Sequence, residues 1–144
     1  MVYGSDGFFA NSSKFKGGVT VAVGDLNGDG KADIVTGSGP GLTTGAEVKA
    51  FDAAVVNGAN GSSPAAMTFN GTLIDFKPYG TTFTGGVRVA LLDLNSDGMV
   101  DQIVAAPGTG QLQNVVGLYD LVPAQVNAFF AYGSIFTGGV FVGG

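Results

Sequence analysis

One stretch of this chain is written almost twice, and that duplication limits the available folds more than any other feature. Gly17-Gly18-Val19-Thr20-Val21-Ala22-Val23-Gly24-Asp25-Leu26-Asn27-Gly28-Asp29-Gly30 returns as Gly85-Gly86-Val87-Arg88-Val89-Ala90-Leu91-Leu92-Asp93-Leu94-Asn95-Ser96-Asp97-Gly98, 68 residues later. The same spacing carries Phe15 onto Phe83 and Phe51-Asp52 onto Tyr119-Asp120. A third copy opens near the end. Phe83-Thr84-Gly85-Gly86-Val87 reappears as Phe136-Thr137-Gly138-Gly139-Val140, 53 residues on, and this spacing also carries Phe76 onto Phe129 and Tyr79-Gly80 onto Tyr132-Gly133. Self-similarity on this scale means a row of supersecondary units, each burying its apolar face against the next.

Within a unit the punctuation is that of short strands. β-Branched and aromatic residues fill runs of four to seven positions, and Gly, Pro and Asn separate them. The first unit predicts strands at 19–24, 34–37, 47–52 and 73–77, and the second at 87–92, 102–106, 115–121 and 126–132. An Asn, Gly, Ser and Ala-rich insertion at 55–67 lengthens the first unit and reads as a surface loop. Helix fits poorly, because no 3.6-residue apolar stripe persists and the 26 glycines interrupt everywhere. The fold class is therefore all-β. Four antiparallel strands per repeat is the arithmetic of a propeller blade, giving two blades and part of a third. On this reading residues 1–16 end a preceding blade and link to the next. Residues 17–84 and 85–135 are the two blades. Residues 136–144 are the first strand of a third, shared with a neighbouring subunit.

The strongest chemical signal sits between the first two strands of each unit. Asp25, Asn27, Asp29 and Asp33 occupy positions 1, 3, 5 and 9 of one nine-residue loop, and Asp93, Asn95, Asp97 and Asp101 those of the other. Gly30 and Gly98 at position 6 allow a sharp turn. The backbone carbonyls of Lys31 and Met99 at position 7 can add an oxygen. Alternate residues of a curled loop point inward, so this spacing brings hard oxygen ligands to one point, as Ca²⁺ requires; Mg²⁺ prefers fewer protein ligands and retained water. Two ions per chain are expected. Asx-turns between strands are the plainer alternative, but three carboxylates gathered without a cation repel. An EF-hand would need a bidentate Glu at position 12, where Thr36 and Val104 stand. A dockerin loop would run into a helix, whereas 34–37 and 103–108 read as strands.

Charge agrees with this picture. The net charge is −5, and six of the eleven acidic residues lie in the two loops. Two Ca²⁺ ions would bring the chain to −1. No basic patch suits a nucleic acid, and no apolar run approaches the roughly 18–20 residues of a membrane span. The N-terminal residues lack the charged and apolar regions of a signal peptide. With no histidine and no cysteine, the chain lacks the usual nucleophile–base pairs, thiolate chemistry and zinc ligands. Paired carboxylates are expected only inside the loops, so the chain does not read as an enzyme.

With these residues in view, the sequence resembles the FG-GAP repeats of integrin-type β-propellers. In that family a Gly-Gly or aromatic-Gly turn leads into strand one, a DxDxDGxxD-type loop follows, and strand two ends in Gly-Ala-Pro. Ala105-Ala106-Pro107-Gly108 matches that ending, and Thr36-Gly37-Ser38-Gly39-Pro40-Gly41 matches it more loosely. The likeness extends to tandem repeats of large secreted bacterial proteins. It implies an extracellular or cell-surface, Ca²⁺-stabilised module with a structural, self-assembling role, or else an adhesive, lectin-like one that takes a glycan or protein ligand. Such propellers close a ring of about seven blades. The expected partner is therefore the chain itself, head to tail in a ring or filament, or further blades of a longer chain.

Phe76, Tyr79, Phe129, Phe130 and Tyr132 are expected to pack between blades rather than to stack on a sugar. Asp52 and Asp120 suit turns better than metal ligation. The sequons at Asn11, Asn60 and Asn70 matter only in a glycosylating host. If the repeats are independent units, Asp29→Ala and Asp97→Ala should each empty its own loop and leave the other loop's affinity largely intact, which calorimetric titration with Ca²⁺ reads directly.

Overall fold

The computed structural model describes residues 8–52, 68–69, 72–110, 114–122 and 124–143. The described residues form ten strands and no helix: β1 (Val19–Gly24), β2 (Asp33–Ser38), β3 (Val48–Phe51), β4 (Thr68–Phe69), β5 (Thr72–Leu73), β6 (Asp75–Phe76), β7 (Val87–Leu92), β8 (Gln102–Pro107), β9 (Val115–Asp120) and β10 (Gln125–Phe130). β1-β2-β3-β6 make one antiparallel four-stranded sheet and β7-β8-β9-β10 the other, ordered β10-β9-β8-β7. The all-β class thus holds, with one four-stranded sheet for each repeat. β4 and β5 add a two-stranded hairpin that the sequence did not suggest. The insertion at 55–67, Asn60 and Asn70 lie outside the described residues.

The ladders show a slip that the repeat alone hides. Val23 pairs with Ile34, but Leu91 pairs with Ile103, so the second connection is one residue longer. Asp33 consequently lies inside β2, whereas Asp101 precedes β8 and donates its N–H to the Leu92 carbonyl at 2.8 Å. Every side chain alternates faces along a strand, so this one-residue difference decides which residues of β2 and β8 correspond in space.

The main core lies between the sheets. The face of sheet one carrying Val35, Val48, Ala50 and Ile74 meets Val87, Val89, Ile103 and Tyr119 of sheet two. Tyr79 crosses this junction, and its hydroxyl donates within 2.8 Å of the Ala105 carbonyl and 2.9 Å of the Val115 carbonyl. Burial holds its phenol protonated well above the ordinary tyrosine range, with the Tyr119 phenol adding to the effect. Phe76 stacks at 4.7 Å on Tyr119. Phe8 stands 68 residues before Phe76 and meets Phe51 in the same way at 4.9 Å. The first seven of residues 1–16, expected to end a preceding blade, lie outside the described residues.

The opposite face of sheet two holds a smaller cluster of Ala90, Val104, Ala106, Val116 and Val140. Residues 136–143, expected as a first strand, join no ladder, since no described strand pairs with them. They dock on sheet two as β7 docks on sheet one. The Val140 N–H donates to Pro107 O at 2.9 Å, and Arg88 donates to Val140 O at 3.0 Å, just as the Thr20 hydroxyl donates to Val87 O at 2.9 Å. Arg88 also lies 3.8 Å from the Phe141 ring centroid. The docking turn requires glycine. A Cβ on Gly85 or Gly138 would sit 2.7 Å from the ring of the phenylalanine two residues earlier.

Packing between blades holds for Phe76 and Tyr79 but not for the second-repeat aromatics. Phe129, Phe130 and Tyr132 are more than half exposed. They occupy the positions of β10 and its following turn, and no described sheet lies over them. Val19, Val21 and Val23 are likewise exposed on the outer face of β1, although Val87 and Val89, their counterparts in β7, are buried.

Leu26 and Leu94 make the clearest comparison, being the same loop position at 0% and 64% exposure. Leu26→Ala should cost about 2–4 kcal/mol of stability and Leu94→Ala under about 0.5 kcal/mol. Chemical denaturation of the two variants checks this.

Candidate metal centre

Each loop starts where the first strand of its sheet ends, because a backbone leaving Gly24 or Leu92 must reverse to enter β2 or β8. Left-handed residues at positions 4 and 6 make the reversal. Gly28 and Gly30 have φ of 78° and 79°, and Ser96 and Gly98 have 61° and 93°. Ser96 is the only described non-glycine residue with positive φ, and it pays there a strain that Gly28 avoids.

Both loops carry the same web of backbone donors. Gly28 N–H and Gly30 N–H reach the Asp25 carboxylate at 2.7 and 2.8 Å, and Ser96 N–H and Gly98 N–H reach Asp93 at 2.6 and 2.9 Å. Asp29 N–H donates to Asn27 Oδ1 at 3.0 Å and Asp97 N–H to Asn95 Oδ1 at 2.9 Å. Lys31 N–H donates to Asp29 and Met99 N–H to Asp97, both at 2.8 Å. Position 9 closes the loop: Leu26 N–H donates to Asp33 Oδ2 at 3.0 Å and Leu94 N–H to Asp101 Oδ2 at 2.7 Å. All ten residues singled out in the sequence thus belong to two equivalent, internally bonded loops. Burial opposes ionisation of Asp25, but the N–H groups of Gly30, Gly28, Asp29 and Asn27 outweigh it and hold the carboxyl below its usual range.

The carboxylates of a loop stand apart. Among the described residues no three acidic side chains meet in a ready cluster. Their spacing is set by N–H groups, as mutual repulsion of anions requires. In kind the donors fit a hard dication: three carboxylates, one amide oxygen and one backbone carbonyl per loop, with an oxygen that accepts one N–H still keeping a lone pair. The loops differ in burial. Asp33 is buried within β2, whereas Asp93 and Asp97 are exposed and Asp101 half-buried. Asp120, also weighed in the sequence, uses its carboxylate to accept the Leu121 N–H at 3.1 Å in the turn after β9.

Residues 17–48 match the family model of the FG-GAP repeat. No curated protein and no solved structure gives a significant match to the chain. The match covers β1, the first loop, β2 and the start of β3, and the second loop lies outside it.

Outside the loops the structure also corrects the expectation that carboxylates pair only within them. Glu47 and Asp75 form an acidic pair that the sequence did not reveal, because β6 pairs Asp75 with Lys49, two residues from Glu47. Lys49 and Lys77 reach the Glu47 carboxylate at 2.9 and 3.1 Å. Burial would raise the Glu47 pKa, but these two ammonium groups outweigh it and lower it. Asp75 is raised, first by burial and then by the Glu47 charge. A raised folded pKa means that the Asp75 contribution to stability is complete below the ordinary carboxylate value and is lost as pH rises through the folded one. Asp75→Asn should therefore raise the melting temperature at pH 7. The gain should fade as pH falls through the raised folded pKa of Asp75 toward the ordinary carboxylate range, where wild-type Asp75 protonates, and melting curves across pH check it.

Proposed function

Because residues 17–48 match the family model of the FG-GAP repeat, we propose that this chain is a Ca²⁺-rigidified β-propeller module with an extracellular structural or self-assembling role. The observation that carries the reading is the pair of loops with identical donor webs at identical places in two sheets. Asp25, Asn27, Asp29 and Asp33, with the Lys31 carbonyl, would hold one ion. Asp93, Asn95, Asp97 and Asp101, with the Met99 carbonyl, would hold the other. Neutralising three carboxylates in each loop would remove the repulsion that the backbone N–H groups now bear alone. A loop without a bidentate Glu at position 12 suits weak affinity, on the order of 10⁻⁴–10⁻³ M, which is useful where Ca²⁺ is plentiful outside cells.

The sheet faces favour a scaffold. At one end Val19, Val21 and Val23 are open. At the other a groove of about 480 Å³ lies beside Leu92, Leu118, Phe129, Tyr132 and Phe141. Both faces repeat the surfaces that meet in the core, so further repeats would cover them, in a neighbouring copy or in a longer chain. The lectin-like reading has less support, since Phe76 and Tyr79 are engaged between the sheets and the groove around their second-repeat counterparts is apolar.

Calorimetric titration should show two Ca²⁺ ions per chain, and chelator should lower the melting temperature. At free Ca²⁺ 100-fold above Kd each site would contribute about 2.7 kcal/mol. Absence of uptake with an unchanged melting curve would overturn the metal assignment. In sedimentation the chain should run larger than a monomer if copies cover its faces; a stable, well-folded monomer would overturn self-assembly.

A further inference from the structure

The two loops touch through main chain. Asp25, position 1 of the first loop, makes a parallel bridge with Met99, position 7 of the second. The next residue, Val100, donates its N–H to the Asp25 carbonyl at 2.7 Å. The Val100 side chain is buried in the core between the sheets and fits against Gly24, where a Cβ would lie 2.6 Å from its methyl group. Met99 lies over Gly28, where a Cβ would be 2.9 Å from its methyl and 3.0 Å from its sulfur. Leu26 is wholly buried in the same core. The start of the first loop is therefore braced by the second, through the main chain at Asp25 and by the Met99 side chain lying over Gly28.

The bracing residues are themselves part of the second loop's web. Met99 N–H is bonded to Asp97, Asp101 N–H to the Leu92 carbonyl, and Leu94 N–H to the Asp101 carboxylate. Residues 97–101 thus serve both loops: their side chains and the Met99 carbonyl belong to the second donor set, while the Val100 N–H holds the first. The first loop offers no such arm of its own in this chain, since Ala32 at the position of Val100 is exposed.

We infer that the two loops take up Ca²⁺ as a coupled pair, with the Val100 main chain as the joint. The inference rests on the reading that both loops hold Ca²⁺. Ordering residues 97–101 for the second site fixes the Val100 N–H, which fixes the Asp25 carbonyl, so the first loop has less freedom left to lose when it fills. Linkage makes the effect reciprocal, so filling either loop strengthens the other by the same factor. This departs from the independence that a simple repeat implies.

The test is calorimetric titration of Ca²⁺ into the full chain and into Asp29→Ala and Asp97→Ala, with Asp29→Asn and Asp97→Asn as milder partners. Each variant should bind one ion, and its remaining loop should bind about fivefold or more weakly than in the wild type, by the same factor in both directions. Two ions in the wild type with remaining-loop affinities unchanged in the variants overturn the coupling and leave the metal assignment standing. No uptake by the wild type overturns both. Amide hydrogen exchange gives a second readout. In the Asp97 variants Ca²⁺ should still slow exchange at Val100, a second-loop residue, and unaltered exchange there counts against the joint.

Discussion

Apolar contact between the two sheets is the interaction on which the remaining features depend. A four-stranded sheet of this size buries little against itself, and its stability comes from laying one face on another. Here Val35 and Val48 on one side and Val87 and Val89 on the other supply that contact, with Leu26 and Val100 sealing the loop end. Fully burying side chains of this size contributes about 1.5–3 kcal/mol each. Removing the contact would expose both faces, release Tyr79 from its two carbonyls and separate the loops.

The close approach needed for that contact explains much of the glycine. Where each repeat enters its first strand, the backbone passes so near the preceding turn and its phenylalanine ring that no Cβ fits at Gly85 or Gly138. The glycine content that looks like looseness in the composition is, at these positions, a condition for tight docking. The same surfaces lie open at the two ends, which is why Val19, Val21 and Val23 are exposed while Val87 and Val89 are not. The asymmetry belongs to neighbourhood, since the residue types are alike.

The loops unite these themes. Each is locally determined, a turn of two left-handed residues and a ring of N–H donors. The structure then sets them side by side, so that a carbonyl in one is held by an amide in the other. A metal-binding reading drawn from either loop alone would treat the chain as two equal sites, although the buried Leu26 and the exposed Leu94 show that the two loops stand in different surroundings.

The sequence by itself determined the repeat, the all-β class, most strand positions and the place of both loops between the first two strands of each sheet. These rest on alternation, turn chemistry and Asx side chains that act within a few residues, and they read correctly at 19–24 and 87–92, where expected and observed strands coincide. It did not determine the one-residue slip that puts Asp33 inside a strand and Asp101 outside one, because identical spacing of the loop aspartates masks a longer connection. Nor did it show that Phe76 and Tyr79 are covered while Phe129 and Tyr132 are exposed, that Glu47 meets Asp75, or that Val100 holds Asp25. Each of these depends on which surface lies opposite a residue. A repeat writes the same side chains into every copy, but burial and pairing are properties of the neighbour, and only the tertiary structure supplies one.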